Sequence, residues 1–478
     1  MQPATVVDDA SFEAATTLPT HLPRARRLNL LALVSVIFFT VSGGAFGLEP
    51  LVGAVGAGWA ILLVVVTPLL WSLPVALMVA ELSSAMPEEG GYYVWVRRAL
   101  GEFWGVQEGW WSICYAAVDL AIYPVLFVDY LAYFIPQLTL DEKGAGSWQP
   151  FFWRWTVAVS LIGVGMAINW RGARAVGRNA TVNVGLVLAP FALMVMMALL
   201  RTGAAGAGLS AIRHDLANNK ESGLLALGLA TVMWNYCGWD NVSTFAGEVN
   251  NAQRAYPRAL LAALPLTIAA YLLPLVAGIS VTTRAEVWNE SAGWPVIAQI
   301  IGGPWLGMTM AVAALLSTWS LFNSQVLYIS RLPYAMACYG WLPAIFTRAS
   351  RRTGVPTTAL AASCAVSAIF AALPFGKLVV IDILLYCAAL SLEFVALIAL
   401  RRKRPEMARP FRMPGNWPAL ALVSLLPMGF AAVVVKASIG DEKSAWQQGA
   451  VAFALIASGV ALYYARRSKA RATVTRNQ

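Results

Sequence analysis

The chain contains 478 residues, of which 59% are hydrophobic and only 12% are charged, and its mean hydropathy is +0.65. Average soluble domains carry about 25% charged residues, and no soluble core of this size could bury so much apolar surface. The composition therefore excludes an ordinary soluble enzyme and predicts a membrane protein. Because the apolar runs are continuous rather than alternating, they also exclude a porin-like barrel.

The predicted elements are apolar runs long enough to cross a bilayer as helices, for which about 20 residues suffice. Twelve such runs follow one another along the chain: 29–52, 55–80, 103–136, 152–170, 179–200, 223–247, 259–281, 304–336, 357–374, 378–400, 417–436 and 446–465. We therefore expect an all-α integral membrane protein with 12 transmembrane helices. The connections between the runs are too short to hold a soluble domain.

Basic residues are distributed unevenly between the two sides of the predicted bundle. When the connections are assigned alternately, the side of the N-terminus receives 24 of the 34 Lys and Arg residues, and the other side receives nine. A basic excess marks cytoplasmic loops, so the net charge of +10 does not call for a nucleic acid partner. We expect a plasma (inner) membrane protein with cytoplasmic tails at 1–27 and 466–478 and no cleavable signal peptide.

Cysteines and histidines give no sign of catalytic or metal chemistry. The five cysteines form no CxxC pair and lie in or beside apolar runs, which is typical of reduced, buried thiols. His21 and His214 both lie in polar stretches. Because HExxH, GxSxG and Walker A motifs are absent from the sequence, we expect no enzyme activity, cofactor, metal or ATP drive.

The first apolar run is interrupted by a glycine-rich segment. Residues 42–47 read Ser-Gly-Gly-Ala-Phe-Gly, and Glu49-Pro50 follows. Glycine costs about 1 kcal/mol per helix position. One interpretation is a packing seam, because Gly43 and Gly47 satisfy GxxxG. The other is a helix unwound at mid-membrane, whose free N–H groups face a ligand-binding cavity.

The sixth run favours the second interpretation, because residues 235–241 (NYCGWDN) interrupt it in the same way. Two interruptions five spans apart are typical of an inverted-repeat transporter with a site near the midplane. The N-termini of half-helices carry partial positive charge, which suits an anionic group such as a carboxylate.

Acidic residues also fall within the apolar stretches. They are Glu49, Asp119, Asp129, Asp240 and Glu393. Each costs several kcal/mol in lipid unless it is paired or hydrated. Each alone could be a hydrogen-bonded structural carboxyl, and Asp129 lies close enough to the surface to be solvated. Because we find no lysine or arginine at similar depth, the group predicts a cationic substrate or a carried proton.

Five segments resemble a known family in order and in detail. They are VSGGAFGLE (41–49), ELSSAMPEEGGYYVWVRRALGEFWGVQEGWW (81–111), DLAIYPVLFVDYL (119–131), GWDNVSTFAGEVNNAQRAYPRAL (238–260) and LEFVALIALRRKRPEMARPFRMP (392–414). They resemble the amino acid–polyamine–organocation superfamily, and within it the branch of polyamine-uptake and L-type amino acid transporter-like proteins. The resemblance covers roughly residues 28–436.

The resemblance implies a fold and a mode of action. It implies a 5+5 inverted-repeat (LeuT-like) transport core of ten helices over residues 28–401, in which helices 1 and 6 are broken. Two extra helices and a cytoplasmic loop occupy residues 402–465. Proteins of this fold work by alternating access, in which a central site opens to each side of the membrane in turn.

The resemblance also implies substrate contacts through the backbone of Gly43, Gly44 and Ala45, and it implies that Trp239 is a gate or a lining aromatic of the site. With the acids and amides of the spans, the candidate substrate-binding residues are Gly43, Gly44, Ala45, Glu49, Asp119, Trp239, Asp240 and Asn323. Glu248, in the sixth-helix motif, and Glu393 are candidate coupling or structural acids.

One departure from the branch concerns the charge of the substrate. Residues 321–325 read LFNSQ, where the polyamine branch tends to carry acidic residues. Amides in place of carboxylates favour a monoamine or an amino acid over a multiply charged polyamine.

We therefore expect a secondary active transporter of amino acids, polyamines or related organic cations that works by proton-coupled uptake. An amino acid/polyamine exchanger is the alternative within transport, and an integral membrane enzyme is the alternative from another class. We expect protons rather than sodium as the coupling ion. The hydroxyl pair Ser317-Thr318 could help to hold sodium, but such a pair is weak support for a sodium site.

Overall fold

The computed structural model describes residues 27–139, 148–202, 213, 222–289, 293–438 and 443–476. Within these residues the chain is helical, and the strand-like pairings are the single bridges Leu28–Val249 and Glu89–Phe245. The prediction of an all-α protein is confirmed. The predicted tail 1–27 lies outside the described residues apart from Arg27, whereas the last helix continues through most of 466–478.

The helices follow one another along the chain. They are α1 (Leu30–Val41), α2 (Glu49–Val55), α3 (Ala57–Ala85, with a π turn at Pro68–Ser72), α4 (Tyr92–Leu100), α5 (Glu102–Leu131), α6 (Trp148–Asn169), α7 (Ala173–Thr202), α8 (Ser222–Asn235), α9 (Ala252–Val281), α10 (Ala285–Asn289), α11 (Gly293–Gly302), α12 (Pro304–Ile329), α13 (Arg331–Cys338), α14 (Thr357–Phe370), α15 (Phe375–Lys403), α16 (Trp417–Ser438) and α17 (Lys443–Arg476).

Among the described residues, nine helical segments are long and apolar enough to cross a membrane, with α12 and α13 counted together. They coincide with nine of the 12 predicted spans. The remaining predicted spans, 29–52, 223–247 and 357–374, contain the shorter helices α1, α8 and α14. The first two are short because the chain leaves the helix where the sequence predicts an interruption.

Helix α5 lies at the centre of the bundle and packs against α4, α6, α12, α14, α15 and α17. The rest of the protein buries 83% of the apolar stretch of α5, but only 11% of the apolar stretch of α17. A helix enclosed in this way can carry polar and acidic side chains that lipid would not tolerate. The centre of the protein is therefore where a polar site can lie.

The outer helices present large apolar side chains outward. Leu200 on α7, Ile369 on α14 and Phe453 on α17 are 80%, 71% and 71% exposed. Exposed apolar surface on this scale is unfavourable in water and favourable in hydrocarbon. The exposed faces of these helices are therefore the faces that lipid covers.

The first interruption separates α1 from α2. Gly43 has a φ of +65°, which favours glycine. A Cβ on Gly43 would lie 2.7 Å from both Ser317 Oγ and Leu321 Cδ1 on α12. The Ser317 hydroxyl donates a hydrogen bond to the Gly43 carbonyl. The chain therefore has an interrupted helix here rather than a continuous glycine seam.

The second interruption follows α8, after which the chain forms 3-10 turns at Asn241–Thr244 and Ala246–Glu248. Gly238 has a φ of +91°, and a Cβ there would lie 2.8 Å from the Thr40 carbonyl oxygen at the end of α1. The Asn235 side chain donates to the Gly47 carbonyl at 3.2 Å. The two interruptions therefore contact each other, and replacing either glycine would disturb both.

Candidate functional site

A small cavity lies where the two interruptions meet α5, α12 and α15. Its volume is about 20 Å³, roughly the room that one water molecule needs. Its lining residues are Thr40, Val41, Ser42, Tyr115, Asp119, Tyr123, Trp234, Asn235, Cys237, Gly238, Asn241, Leu321, Gln325, Asp382 and Tyr386.

Helical periodicity places the polar lining. Residues four apart lie on one face of a helix, and α5 presents Tyr115, Asp119 and Tyr123 in this way. On α15, Asp382 and Tyr386 have the same spacing. The cavity is therefore built from single faces of helices that are far apart in the sequence.

Asp119 is held by neutral donors. The Tyr123 hydroxyl donates to Asp119 Oδ1 at 2.9 Å, and Gln325 Nε2 donates to Asp119 Oδ2 at 2.7 Å. The Tyr328 hydroxyl lies 3.4 Å from the same oxygen. None of the ion pairs between described residues includes Asp119. Hydrogen bonds thus orient this carboxylate while no basic side chain neutralises it.

Asp382 is a second cavity carboxylate, which the sequence analysis did not select. It is 3% exposed, and its Oδ1 has no hydrogen-bond partner among the described residues. Asp382 interacts electrostatically with Asp119. Among the described residues, no lysine, arginine or histidine lines the cavity. The sequence feature that could have identified Asp382 is its position as a single aspartate in the apolar stretch 378–387.

Aromatic side chains form much of the remaining wall. Trp234 stacks on Tyr123 with ring centroids 6.2 Å apart and an interplanar angle of 29°. The Tyr115 hydroxyl donates to the Asn241 side-chain oxygen. The Tyr386 hydroxyl accepts from the Gly238 N–H at 3.1 Å and donates to Asp240. Such rings attract ammonium groups through their negative faces.

Glu49 does not line the cavity. At the start of α2, its Oε2 accepts from the Gly47 N–H at 2.7 Å and its Oε1 accepts from the Tyr130 hydroxyl at 2.8 Å. Both carboxylate oxygens are therefore engaged in holding the first interruption against α5.

Two backbone carbonyls within residues 43–45 accept hydrogen bonds from neighbouring helices. The Gly43 carbonyl accepts from Ser317, and the Ala45 carbonyl accepts from Trp294 Nε1 at 2.6 Å. A Cβ on Gly44 would point toward Phe191 of α7, 3.2 Å away. In this segment Ser42 lines the cavity, and residues 43–45 do not.

Trp239, Asn323 and Asp240 also lie outside the lining. Trp239 is fully buried. The side-chain amide of Asn323 donates to the Trp319 carbonyl at 2.8 Å, and its side-chain oxygen accepts from Asn169 at 3.2 Å. Asp240 lies directly behind the cavity wall, where it accepts the Tyr386 hydroxyl.

The remaining acids have distinct surroundings. Glu248 forms a buried ion pair with Arg331 at 2.8 Å. Glu393 is 1% exposed and interacts electrostatically with Asp240. The expectation that no basic side chain pairs with the carboxylates of the spans is wrong for Asp129, because Arg154 on α6 forms an ion pair with it. The two helices lie close enough for this pair although the sequence separates them.

These features define a multi-span membrane protein whose broken helices surround a central acidic and aromatic cavity. Residues 28–459 match the profile of the amino acid permease family. The chain therefore belongs to this family, which confirms the superfamily indicated by its motifs.

Relatives match over most of the chain. It is 36% identical over 433 residues to the polyamine transporter PUT1 of Oryza sativa subsp. japonica, covering 90% of this chain and 78% of that protein. It is 34% identical over 427 residues to the polyamine transporter RMV1 of Arabidopsis thaliana, covering 88% and 83%. Identity to the aspartate-proton symporter of Bacillus subtilis (strain 168) is 25% over 401 residues, covering 79% and 72%.

Proposed function

We propose that this protein is a secondary active transporter of organic cations, with polyamines as its main substrates. The observation that carries the proposal is the pair of carboxylates, Asp119 and Asp382, in a cavity to which the described part of the chain contributes no basic side chain. An acidic pair of this kind is costly in a membrane protein unless a cation offsets it. Relatives named as polyamine transporters support the same substrate class.

The amides of span eight were an argument against a multiply charged polyamine. The positions of the carboxylates remove that argument. Gln325 takes part in the cavity as a donor that orients Asp119. Asp382 of α15 supplies a second carboxylate to the same cavity. Two carboxylates on different helices suit a substrate with two ammonium groups, and the surrounding rings add cation–π attraction.

Four backbone N–H groups at the interruptions already have partners, which favours a cation over an amino acid as substrate. The N–H groups of Ser42 and Gly43 donate to the Phe38 carbonyl at 2.8 and 3.1 Å. The Gly44 N–H donates to Ser42 Oγ, and the Gly238 N–H donates to Tyr386. Because these N–H groups already donate to partners within the protein, an amino acid carboxylate would have to displace those partners in order to bind to them.

The small volume of the cavity supports alternating access. About 20 Å³ admits a water molecule but not a polyamine. The walls must therefore separate for substrate to enter. Motion at the two interruptions would open the cavity to one side of the membrane at a time.

The coupling, orientation and repeat structure are parts of the same proposal. We propose proton-coupled uptake through a ten-helix inverted-repeat core at 28–401, with two further helices in 402–465. We also propose that the protein lies in the plasma membrane. We propose that both termini are cytoplasmic, because 24 of 34 basic residues fall on the side of the termini. Exchange of one substrate for another is the second candidate.

Transport by reconstituted protein tests the proposal. We expect proteoliposomes with an acidic exterior to accumulate labelled 1,4-diaminobutane, and we expect unlabelled diamine to compete more strongly than butylamine or alanine. Uptake that needs internal diamine and ignores the pH gradient would indicate an exchanger. Uptake of alanine with no transport of, or competition by, the diamine would contradict the assignment to organic cations.

A further inference from the structure

A second group of buried carboxyls lies behind the cavity wall. It consists of Glu108 on α5, Asp240 in the second interruption and Glu393 on α15, which are 0%, 1% and 1% exposed. None of the ion pairs between described residues includes any of the three. They are separate from the cavity lining, which contains Asp119 and Asp382.

The three carboxyls interact with one another. Asp240 interacts electrostatically with Glu393 and with Glu108, and Glu108 interacts with Glu393. Helices α5 and α15, which carry the two glutamates, pack directly against each other. One oxygen of Glu108 and one of Glu393 are buried without a hydrogen-bond partner among the described residues.

The groups that face these carboxyls are neutral. The titratable groups near them are Tyr92 of α4, Tyr115 of α5, Cys237 of the second interruption and Tyr386 of α15. Ser112 Oγ donates to Glu108 Oε1 at 3.1 Å. Three ionised carboxylates without a cation would carry a prohibitive desolvation and repulsion cost. No group of acids among the described residues has metal-binding geometry. The chemistry of the cluster therefore suits protons as its ligand.

The Tyr386 hydroxyl joins this cluster to the cavity. Tyr386 lines the cavity, donates to Asp240 and accepts from the Gly238 N–H. Gly238 and Asp240 both belong to the second interruption. A change in the protonation of Asp240 would therefore act on the same backbone and side chain that contact the substrate.

We propose that Glu108, Asp240 and Glu393 form the proton-binding site that couples proton movement to transport, with Tyr386 as the link to the substrate cavity. The inference rests on the proposed function, because it names the coupling site of that transporter. One carboxylate gains a proton from the outer solution and releases it to the cytoplasm after the site opens inward. Asp119 and Asp382 remain the groups that bind the substrate.

The test separates exchange from accumulation. Exchange of labelled for unlabelled 1,4-diaminobutane at equal pH requires no net proton movement, whereas accumulation on a pH gradient requires it. In proteoliposomes, Glu108→Gln and Glu393→Gln should each keep exchange within about threefold and lose accumulation by about tenfold or more. An internal pH dye should show diamine-induced acidification with wild type and none with the variants. Glu88→Gln, at an exposed ion pair, is the matched control and should keep both activities.

Each result has a distinct meaning. Full accumulation and acidification in both Gln variants would overturn the coupling site while wild-type transport upholds the proposed function. Parallel loss of exchange and accumulation in both variants would show that the carboxyls support the fold. This result would also overturn the coupling site. If wild-type protein neither exchanges nor accumulates the diamine, the proposed function itself fails.

Discussion

Gln325 and Asp119 form a cross-helix hydrogen bond in which the side-chain amide on α12 donates to the carboxylate on α5 at 2.7 Å. The same amide nitrogen lies 2.6 Å from the Tyr123 oxygen. The amide thus orients the acid on one side while leaving its charge intact. This arrangement makes Asp119 the first residue on which to test the chemistry of the cavity.

We predict that Asp119→Asn weakens binding of 1,4-diaminobutane by about a hundredfold or more, and binding of a neutral amino acid by less than about tenfold. Leaving a buried charge without its partner costs about 3–5 kcal/mol, and each 1.4 kcal/mol is about tenfold in affinity. Isothermal titration of both ligands on wild type and variant measures the difference.

Asp129→Asn is the matched control, because it makes the same change on the same helix at a residue paired with Arg154 outside the cavity. It should shift the affinities of the two ligands equally. Equal losses for both ligands in Asp119→Asn would show that Asp119 supports the fold rather than binding the cation.

Asp382→Asn should change the preference between diamine and monoamine. Because Asp382 has an unpartnered oxygen in the cavity, we expect it to receive the second ammonium group. The variant should bind 1,4-diaminobutane about tenfold or more weakly and butylamine nearly as wild type does. Competition against labelled diamine gives both affinities, and an unchanged ratio would contradict the second contact.

Gly43→Ala should destabilise the protein by about 2–5 kcal/mol, the sum of positive-φ strain and overpacking. The new methyl would lie 2.7 Å from Ser317 Oγ and from Leu321. Gly163→Ala on α6 is the control, because a Cβ there meets nothing within 4 Å. Thermal unfolding in detergent compares the two, and similar midpoints would argue against strain at the first interruption.

Two ion pairs of the same residue types should differ sharply in their effect on stability. Glu81 is fully buried and accepts from Arg401, and the Arg409 Nε lies 3.3 Å from its Oε1. Glu81→Ala should lower the free energy of unfolding by about 3–5 kcal/mol, because it leaves buried guanidinium groups unpaired.

Glu88→Ala is the comparison, because Glu88 pairs with Arg98 where the two side chains are 43% and 42% exposed. Its effect should stay below about 1 kcal/mol. Denaturant-induced unfolding of both variants measures the contrast. Equal effects would show that burial does not determine the strength of these pairs.

Orientation in the membrane can be tested by cysteine labelling. In a background without the native cysteines, Ser350→Cys should react with a membrane-impermeant maleimide from the cytoplasm and Arg284→Cys from outside. The reason is the distribution of basic residues between the two sides. Gly144 and Gly206, which share the side of Arg284 by the same assignment, lie outside the described residues. Labelling of Arg284→Cys only from the cytoplasm would contradict the orientation.

The sequence by itself determined the class of protein and the places where its helices break. Hydropathy is a property of contiguous residues, and lipid requires every spanning backbone to satisfy its own hydrogen bonds. Glycines at 43 and 238 mark backbone that leaves the helix, because positive φ favours residues without a Cβ. Asp119 was found for a similarly local reason, since an acid within an apolar run is conspicuous.

Only the tertiary structure decided which acids share a cavity. Asp382 meets Asp119 although more than 260 positions separate them. Glu49 lies close to the interruption in sequence, yet both of its oxygens are used by Gly47 and Tyr130. Side-chain direction depends on how each helix is rotated against its neighbours. That rotation is set by packing between helices distant in sequence, which no local pattern encodes.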